Sequence, residues 1–143
     1  MNSFKIQSDA LKSMIKNKEI VWSELDDRIG IGSRHFMCFL NRDDVFLTFK
    51  QEPFDIKPLC EKLTTSDYHL ADSITPVDHN GKHLLCMIHD DVKVYVNRDY
   101  TRYFDKDASY YVLSSRSPVW VMEQCEIVGF IFPVVVMESE GDG

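Results

Sequence analysis

The stretch that decides the fold is SPVWVM at residues 117–122, followed by EQCE at 123–126 and IVGFIFPVVV at 127–136. Two runs rich in β-branched and aromatic residues flank a short polar link. Such runs are typical of strands that are buried on both faces, and the link has the length of a hairpin turn. The stretch predicts a closing hairpin at the centre of an antiparallel sheet.

Composition fits a single globular domain. The chain has 143 residues, of which 44% are hydrophobic and 27% charged, as in ordinary soluble domains. Nine Phe and six Tyr favour a sheet-rich core. We expect one α+β domain over residues 1–137 and an acidic C-terminal tail over 138–143.

Two helices are expected in this domain. Phe4 and Ile6 alternate with polar neighbours and predict a short first strand, after which Ser8 begins a helix. Asp55 begins the second helix, with Pro58 in its first turn. Their apolar faces are predicted to be Ala10, Leu11, Met14 and Ile15 in the first helix, and Ile56, Leu59, Cys60 and Leu63 in the second.

The rest of the chain has the period-two pattern of strands. Strands are expected at 20–22, 36–40, 45–49, 84–88, 92–96 and 110–113, with a glycine-bearing bend or strand break at 30–33. Turns are expected at 41–44, 78–81 and 90–91, and Asn80-Gly81 is the strongest turn signal because this pair accepts positive φ. The pattern predicts an antiparallel sheet with the two short helices packed on one face.

The cysteines and the first residues of the chain indicate the cellular compartment. Cys38, Cys60, Cys86 and Cys125 form no CxxC pair and each lies in or beside an apolar run, which predicts reduced, mostly buried thiols. The opening residues lack the apolar region of a signal peptide. The apolar run at 127–137 is too short to span a bilayer. We therefore expect a cytoplasmic protein with no membrane partner.

The net charge of −7 and the pI near 5.1 disfavour a nucleic-acid binder that acts through bulk charge, although a local basic patch is compatible with them. The acidic residues gather in short clusters at predicted turns, where solvated turn tips explain them. A surface that mimics nucleic-acid phosphates is the alternative, but it would need a continuous acidic face.

The sequence predicts no catalytic residue, cofactor or metal site. His79, His83, Cys86 and His89 resemble a metal set, but odd spacing on a strand separates His83 from Cys86, and a distance of about 20 Å separates His83 from His89. Gly30 and Gly32 lack the remainder of a nucleotide-binding motif. His35 and Cys38 also have odd spacing, and an active site assembled in space from carboxylates stays an alternative.

Aromatic and basic residues interleave in one segment, which comprises Tyr95, Arg98, Tyr100, Arg102 and Tyr103. Such a surface can stack and clamp a single-stranded nucleic acid. The alternative is that they are ordinary exposed residues of an edge strand.

Two segments resemble the bacterial DNA polymerase processivity clamp, or sliding clamp. They are FDIKPLCEKL at 54–63, and SPV at 117–119 with FIFPV at 130–134. The resemblance implies DNA association through lysines on the helices, which here are Lys12, Lys16, Lys18, Lys57 and Lys62. The chain departs from the clamp in having one domain instead of three, Phe132 in place of a methionine, and a longer segment between the second helix and the final hairpin.

Three functions remain open at this point. The first is a non-enzymatic binding or assembly protein, clamp-like and associated with nucleic acid, whose partner is another protein or a second copy. The second is an acidic inhibitor of the kind made by phages and mobile elements, which binds a host protein. The third is a small enzyme with a spatially assembled active site.

Overall fold

The computed structural model describes residues 1–136. Its helices are α1 (Ser3–Ile15), α2 (Lys57–Thr65) and the short α3 (Arg98–Thr101), and a 3-10 helix spans Arg42–Asp44. Its strands are β1 (Val21–Glu24), β2 (Arg28–Gly32), β3 (Phe36–Asn41), β4 (His69–Leu70), β5 (Ser73–His79), β6 (Lys82–His89), β7 (Val92–Asn97), β8 (Ser109–Val112), β9 (Val119–Glu123) and β10 (Glu126–Ile131). The tail expected at 138–143, together with Met137, lies outside the described residues.

The closing hairpin is confirmed at the centre of the larger sheet. Strands follow the order β1-β2-β3-β10-β9-β8-β4 in this seven-stranded antiparallel sheet. Glu123 pairs with Glu126, and the turn between them consists of Gln124 and Cys125, both with positive φ. Val121 and Ile131 are fully buried, as expected for strands covered on both faces.

A second sheet contains β5, β6 and β7. The predicted turn at Asn80-Gly81 joins β5 to β6, with φ of 51° and 77°. The period-two pattern at 92–96 is also confirmed, because Val94 and Val96 are buried whereas Lys93 is exposed. These valines and Met87 belong to the same apolar cluster as one face of the seven-stranded sheet. The two sheets therefore share a core.

The α+β class with antiparallel sheets is confirmed, but the two longer helices do not share a face. Side chains along β3 alternate between two clusters: Cys38 joins the first and Phe39 the second. Ile6 and Ala10 of α1 pack in the first cluster. Ile56, Leu59, Cys60 and Leu63 at α2 pack in the second. The seven-stranded sheet thus lies between α1 and α2, because it buries both of its faces.

The expected strand at Phe4 and Ile6 is wrong, since α1 already begins at Ser3. Asn2 caps the helix in place of Ser8, and its side-chain oxygen accepts a hydrogen bond of 3.0 Å from the Lys5 amide. Phe4 is exposed and Ile6 buried, so the apparent alternation reflects two sides of a helix.

Two further expectations on local structure need correction. The bend or strand break expected at 30–33 falls later than Gly30: Gly30 and Gly32 pair with Phe39 and Met37, and β2 ends at Gly32. A Cβ at Gly32 would clash with the Phe36 carbonyl oxygen, so glycine here permits close strand approach. Residues 45–49 form no strand, because the 3-10 helix at Arg42–Asp44 ends β3 and the following segment joins neither sheet.

The second helix begins close to the predicted position. It starts at Lys57, one residue after the cap residue Ile56, and Pro58 lies in the first turn. The Asp55 carboxylate accepts a hydrogen bond of 3.0 Å from the Lys57 amide, as a side chain at a helix N-terminus should.

Candidate functional site

The structure divides the predicted lysines into two sets. Lys12, Lys16 and Lys18 are exposed in the last turn of α1 and just beyond it. Lys57 and Lys62 are exposed on α2, across the seven-stranded sheet. A single lysine surface would have required α1 and α2 to lie side by side, so the two sets are separate.

The predicted aromatic and basic surface is also divided. Tyr100 and Tyr103 both stack on the Phe36 ring, with ring centroids 4.7 and 5.2 Å away, and His35 stacks on Tyr100 at 6.0 Å. Tyr95 lies apart on β7, where its carbonyl accepts a hydrogen bond of 2.7 Å from the Val134 amide. Most of the tyrosine faces are therefore used in packing against the protein itself.

The remaining basic residues of that segment lie at the surface. Arg98 begins α3 and is half-buried. Arg102 is exposed, and its guanidinium carbon lies 5.5 Å from the Tyr103 ring centroid, within the range of a cation–π contact. Its Nη2 is 3.7 Å from the Asp9 carboxylate. The positive charge of Arg102 is thus partly balanced by α1.

A cleft of about 270 Å³ lies between α1 and these stacked rings. Both carboxylates that line it already have partners: Asp9 accepts a hydrogen bond of 2.7 Å from the Tyr103 hydroxyl, and Glu19 accepts from Arg34. Burial, together with the hydrogen bond to Asp9, raises the pKa of Tyr103 to about 12. A general acid or base needs a group that titrates near the working pH, which this phenol does not.

The cysteines give no sign of an activated nucleophile. All four are free in the structure; Cys38 and Cys86 are buried, Cys60 is half-buried and Cys125 is exposed in the closing turn. Burial raises the pKa of the Cys38 and Cys60 thiols. A raised pKa disfavours the thiolate, which is the reactive form.

The outer side of α1 carries a row of exposed apolar residues. Phe4, Leu11 and Ile15 lie seven and four residues apart, which places them on one side of the helix. Phe4 is 70% and Ile15 74% exposed. Phe46 from the segment after the 3-10 helix adds a fourth exposed apolar side chain, with its ring centroid 6.2 Å from that of Phe4. These four residues form what we call the α1 stripe.

A buried glutamine fixes Phe46 in this position. The Gln7 side chain is 1% exposed. It donates a hydrogen bond of 2.9 Å to the Asp44 carbonyl and accepts one of 2.8 Å from the Phe46 amide. Because both bonds join α1 to the same short segment, the stripe is presented by a defined surface.

Lysines flank the stripe along its length. Lys5, Lys12 and Lys16 each follow one stripe residue by one position, so they form a parallel row about 100° around the helix. Residues 1–18 contain four lysines and one aspartate, in a chain whose net charge is −7. The α1 surface is therefore both apolar and basic on a molecule that is acidic as a whole.

Sequence reasoning assigned these apolar residues incorrectly. Leu11 and Ile15 were expected in the buried face with Ala10 and Met14. In the structure Ala10 and Met14 pack in the first cluster, whereas Leu11 and Ile15 point outward. Helical spacing counted from Asn2 separates these residues into two apolar rows, one buried and one exposed.

The histidine and cysteine set considered from sequence does not assemble. His79 contacts the neighbouring Asn80, and His83 Nδ1 lies 2.6 Å from Asp78 Oδ1. Cys86 is buried within β6. His89 instead lies beside Asp72 and Asp90, residues that the sequence did not connect with it.

Comparison with protein-family models, with curated proteins and with solved structures gave no match for this chain. The resemblance to the sliding clamp stays a prediction. No helix among residues 1–136 is long and apolar enough to cross a membrane. Function has therefore to be inferred from the residues of this chain.

Proposed function

We propose that the protein is a non-enzymatic binding protein that docks an acidic, amphipathic segment of another protein along the α1 stripe. The observation that carries the proposal is the row of exposed apolar side chains on α1, bordered by Lys5, Lys12 and Lys16. Apolar anchors at helical spacing are the usual contacts when two helices associate across a groove. The lysines add complementarity to an acidic partner.

Charge favours a narrow protein segment over a broad anionic surface. A membrane leaflet or a DNA duplex presents negative charge over an area larger than α1. The rest of this chain is acidic, so approach to such a surface is opposed by repulsion outside the lysine row. A partner of helical width contacts only the basic side of the molecule.

The α1 stripe also distinguishes this proposal from the acidic-inhibitor hypothesis. An inhibitor that acts through its acidic surface needs a basic partner, whereas the stripe is bordered by lysines and needs an acidic one. The fixed position of Phe46, held by Gln7, lowers the entropy lost on binding.

A designed peptide tests the proposal. The probe is a labelled helical peptide of about 18 residues with leucines at i, i+3, i+4 and i+7 spacing and glutamates beside them. The control peptide carries lysine at every glutamate position. We expect fluorescence anisotropy to show binding of the acidic peptide only, weakening as ionic strength rises.

Matched variants locate the site. Leu11→Asp, and the double change Lys12→Glu with Lys16→Glu, should each weaken peptide binding by about tenfold or more. The same charge reversal on the other side of the sheet, Lys57→Glu with Lys62→Glu, should leave it unchanged. Equal losses for both double variants, or no binding at about 1 mM peptide, would contradict the proposal.

Two further outcomes would replace the proposed peptide-docking function with a different one. Tighter binding of duplex DNA than of the peptide, dependent on Lys12 and Lys16, would favour the nucleic-acid hypothesis and its clamp-like form. A dimer by light scattering that Leu11→Asp dissociates would make the α1 stripe a contact between two copies of this chain.

A further inference from the structure

A second cluster of charged residues lies where the chain passes from the seven-stranded sheet to the three-stranded sheet. β4 ends at Leu70, and Asp72 immediately precedes β5. The Asp72 amide donates a hydrogen bond of 2.7 Å to the Ile88 carbonyl, which places Asp72 opposite His89 at the end of β6. Asp90 follows in the turn to β7 with φ of 51°, a conformation that Asp tolerates better than most residues.

The side chains converge on His89. Its Nδ1 lies 3.0 Å from Asp72 Oδ2, and its Nε2 lies 3.5 Å from Asp90 Oδ2. One ligand atom from each of the three residues lies within 4.8 Å of the others. The Asp72 oxygen is close to Nδ1 but outside hydrogen-bonding geometry, so this buried nitrogen has no hydrogen-bond partner in the structure.

A second histidine completes the cluster. The His69 ring on β4 stacks on His89 with centroids 4.4 Å apart and an interplanar angle of 10°. Asp67 Oδ2 lies 3.2 Å from His69 Nε2. Within residues 1–136, the ion pairs formed by Asp67, Asp72 and Asp90 are all with these two imidazoles.

Ligand chemistry then favours a metal ion. Three carboxylates surround two imidazole rings, so the cluster is rich in oxygen and nitrogen ligands. Neutral imidazole and carboxylate oxygen together are ligands for zinc and similar transition metals. Two ligands of a tetrahedral zinc ion at about 2.0–2.1 Å lie about 3.3 Å apart, so binding draws the three atoms closer than the 4.8 Å within which they now lie.

We propose that Asp72, His89 and Asp90 bind a divalent transition-metal ion such as Zn²⁺. The ion joins the residue before β5 to the β6–β7 turn, and the His69 ring of β4 stacks on the histidine ligand. The proposal replaces the expectation from sequence that no metal is bound, and it is independent of the α1 stripe.

Titration of chelator-treated protein with ZnCl₂ tests the proposal. We expect one ion per chain by calorimetry, a raised melting temperature, and visible absorption with Co²⁺ in place of Zn²⁺, which has no d–d spectrum. His89→Ala should lower the affinity by about 100-fold or more, because it removes a direct ligand and loss of an outer-sphere partner alone costs about 10–100-fold. Asp90→Asn removes a carboxylate but suits the positive φ, and it should have a similar effect without perturbing the fold.

His83→Ala is the matched control. His83 also pairs with an aspartate, Asp78, on the same two strands, but it belongs to no cluster of three ligands among the described residues. This variant should bind Zn²⁺ like the unmodified chain. No binding at about 1 mM Zn²⁺, or the same loss with His83→Ala as with His89→Ala, would overturn the proposal.

Discussion

Tyr103 and Tyr110 show how single side chains are tuned by the core around them. Tyr103 is stacked on Phe36 and donates its hydroxyl hydrogen to Asp9. Tyr110 is buried in β8. Burial is the main cause that raises the pKa of each phenol to about 12, with Asp9 adding to it for Tyr103 and Glu123 for Tyr110. Both are structural groups whose protonated form the fold requires.

These two phenols predict a loss of stability in alkali. Below about pH 10 both phenols are neutral in the native and in the unfolded chain, so they add no pH dependence to the free energy of unfolding. Between pH 10 and 12 the unfolded chain loses these protons and the native chain keeps them, so stability falls, by about 2–3 kcal/mol for each phenol. Urea denaturation across this range checks the slope, which Tyr103→Phe and Tyr110→Phe should each reduce. A slope unchanged in both variants would contradict the assignment.

At the scale of elements, the segment 45–50 shows why a correct pattern gave a wrong strand. Val45, Leu47 and Phe49 pack on the first cluster while their neighbours are exposed, so the period-two pattern was real. The segment joins neither sheet. In place of a strand partner, the Phe46 amide donates to the Gln7 side chain and the Val45 amide donates to the Arg42 carbonyl. An alternating sequence pattern shows which side chains are buried, but it does not show which groups pair with the backbone amides and carbonyls.

Gln7 is therefore predicted to hold α1 and this segment together. Gln7→Leu keeps the approximate size but leaves the Asp44 carbonyl and the Phe46 amide without partners, which should cost about 1–3 kcal/mol of unfolding free energy. Hydrogen exchange should show lost protection at Phe46 and retained protection in β9 and β10. Thr48→Val is the control, because Thr48 is exposed in the same segment and exposed substitutions typically change stability by about 0.5 kcal/mol or less. Equal losses for the two variants would show that Gln7 has no special role.

The closing hairpin, the Asn80-Gly81 turn and α2 could be predicted because each depends on neighbours in sequence. The α1 stripe and the cluster at His89 could not. The stripe depends on where α1 begins. Asn2 caps the helix at its N-terminus, whereas the alternation of Phe4 and Ile6 predicts a strand there. The cluster depends on the register of β5 and β6, which places Asp72 opposite His89 seventeen positions later in the chain. Strand pairing of this kind is set by tertiary structure, and spacing along one strand does not reveal it.

For the whole molecule, the shared core predicts that the two sheets unfold together. Met87 of β6 and Ile131 of β10 are both fully buried in the first cluster. Replacing either by Ala should cost about 2–5 kcal/mol, a large part of the stability of a domain.

Trp22 and Trp120 both belong to the seven-stranded sheet, so tryptophan fluorescence reports on that sheet, whereas far-ultraviolet circular dichroism reports on both. We expect Met87→Ala to lower the midpoints of both transitions equally, although Met87 lies in the three-stranded sheet. Loss of packing in a common core lowers the stability of both sheets, because they unfold cooperatively. A fluorescence midpoint that Met87→Ala leaves unchanged while Ile131→Ala lowers it would show that the sheets fold as separate units.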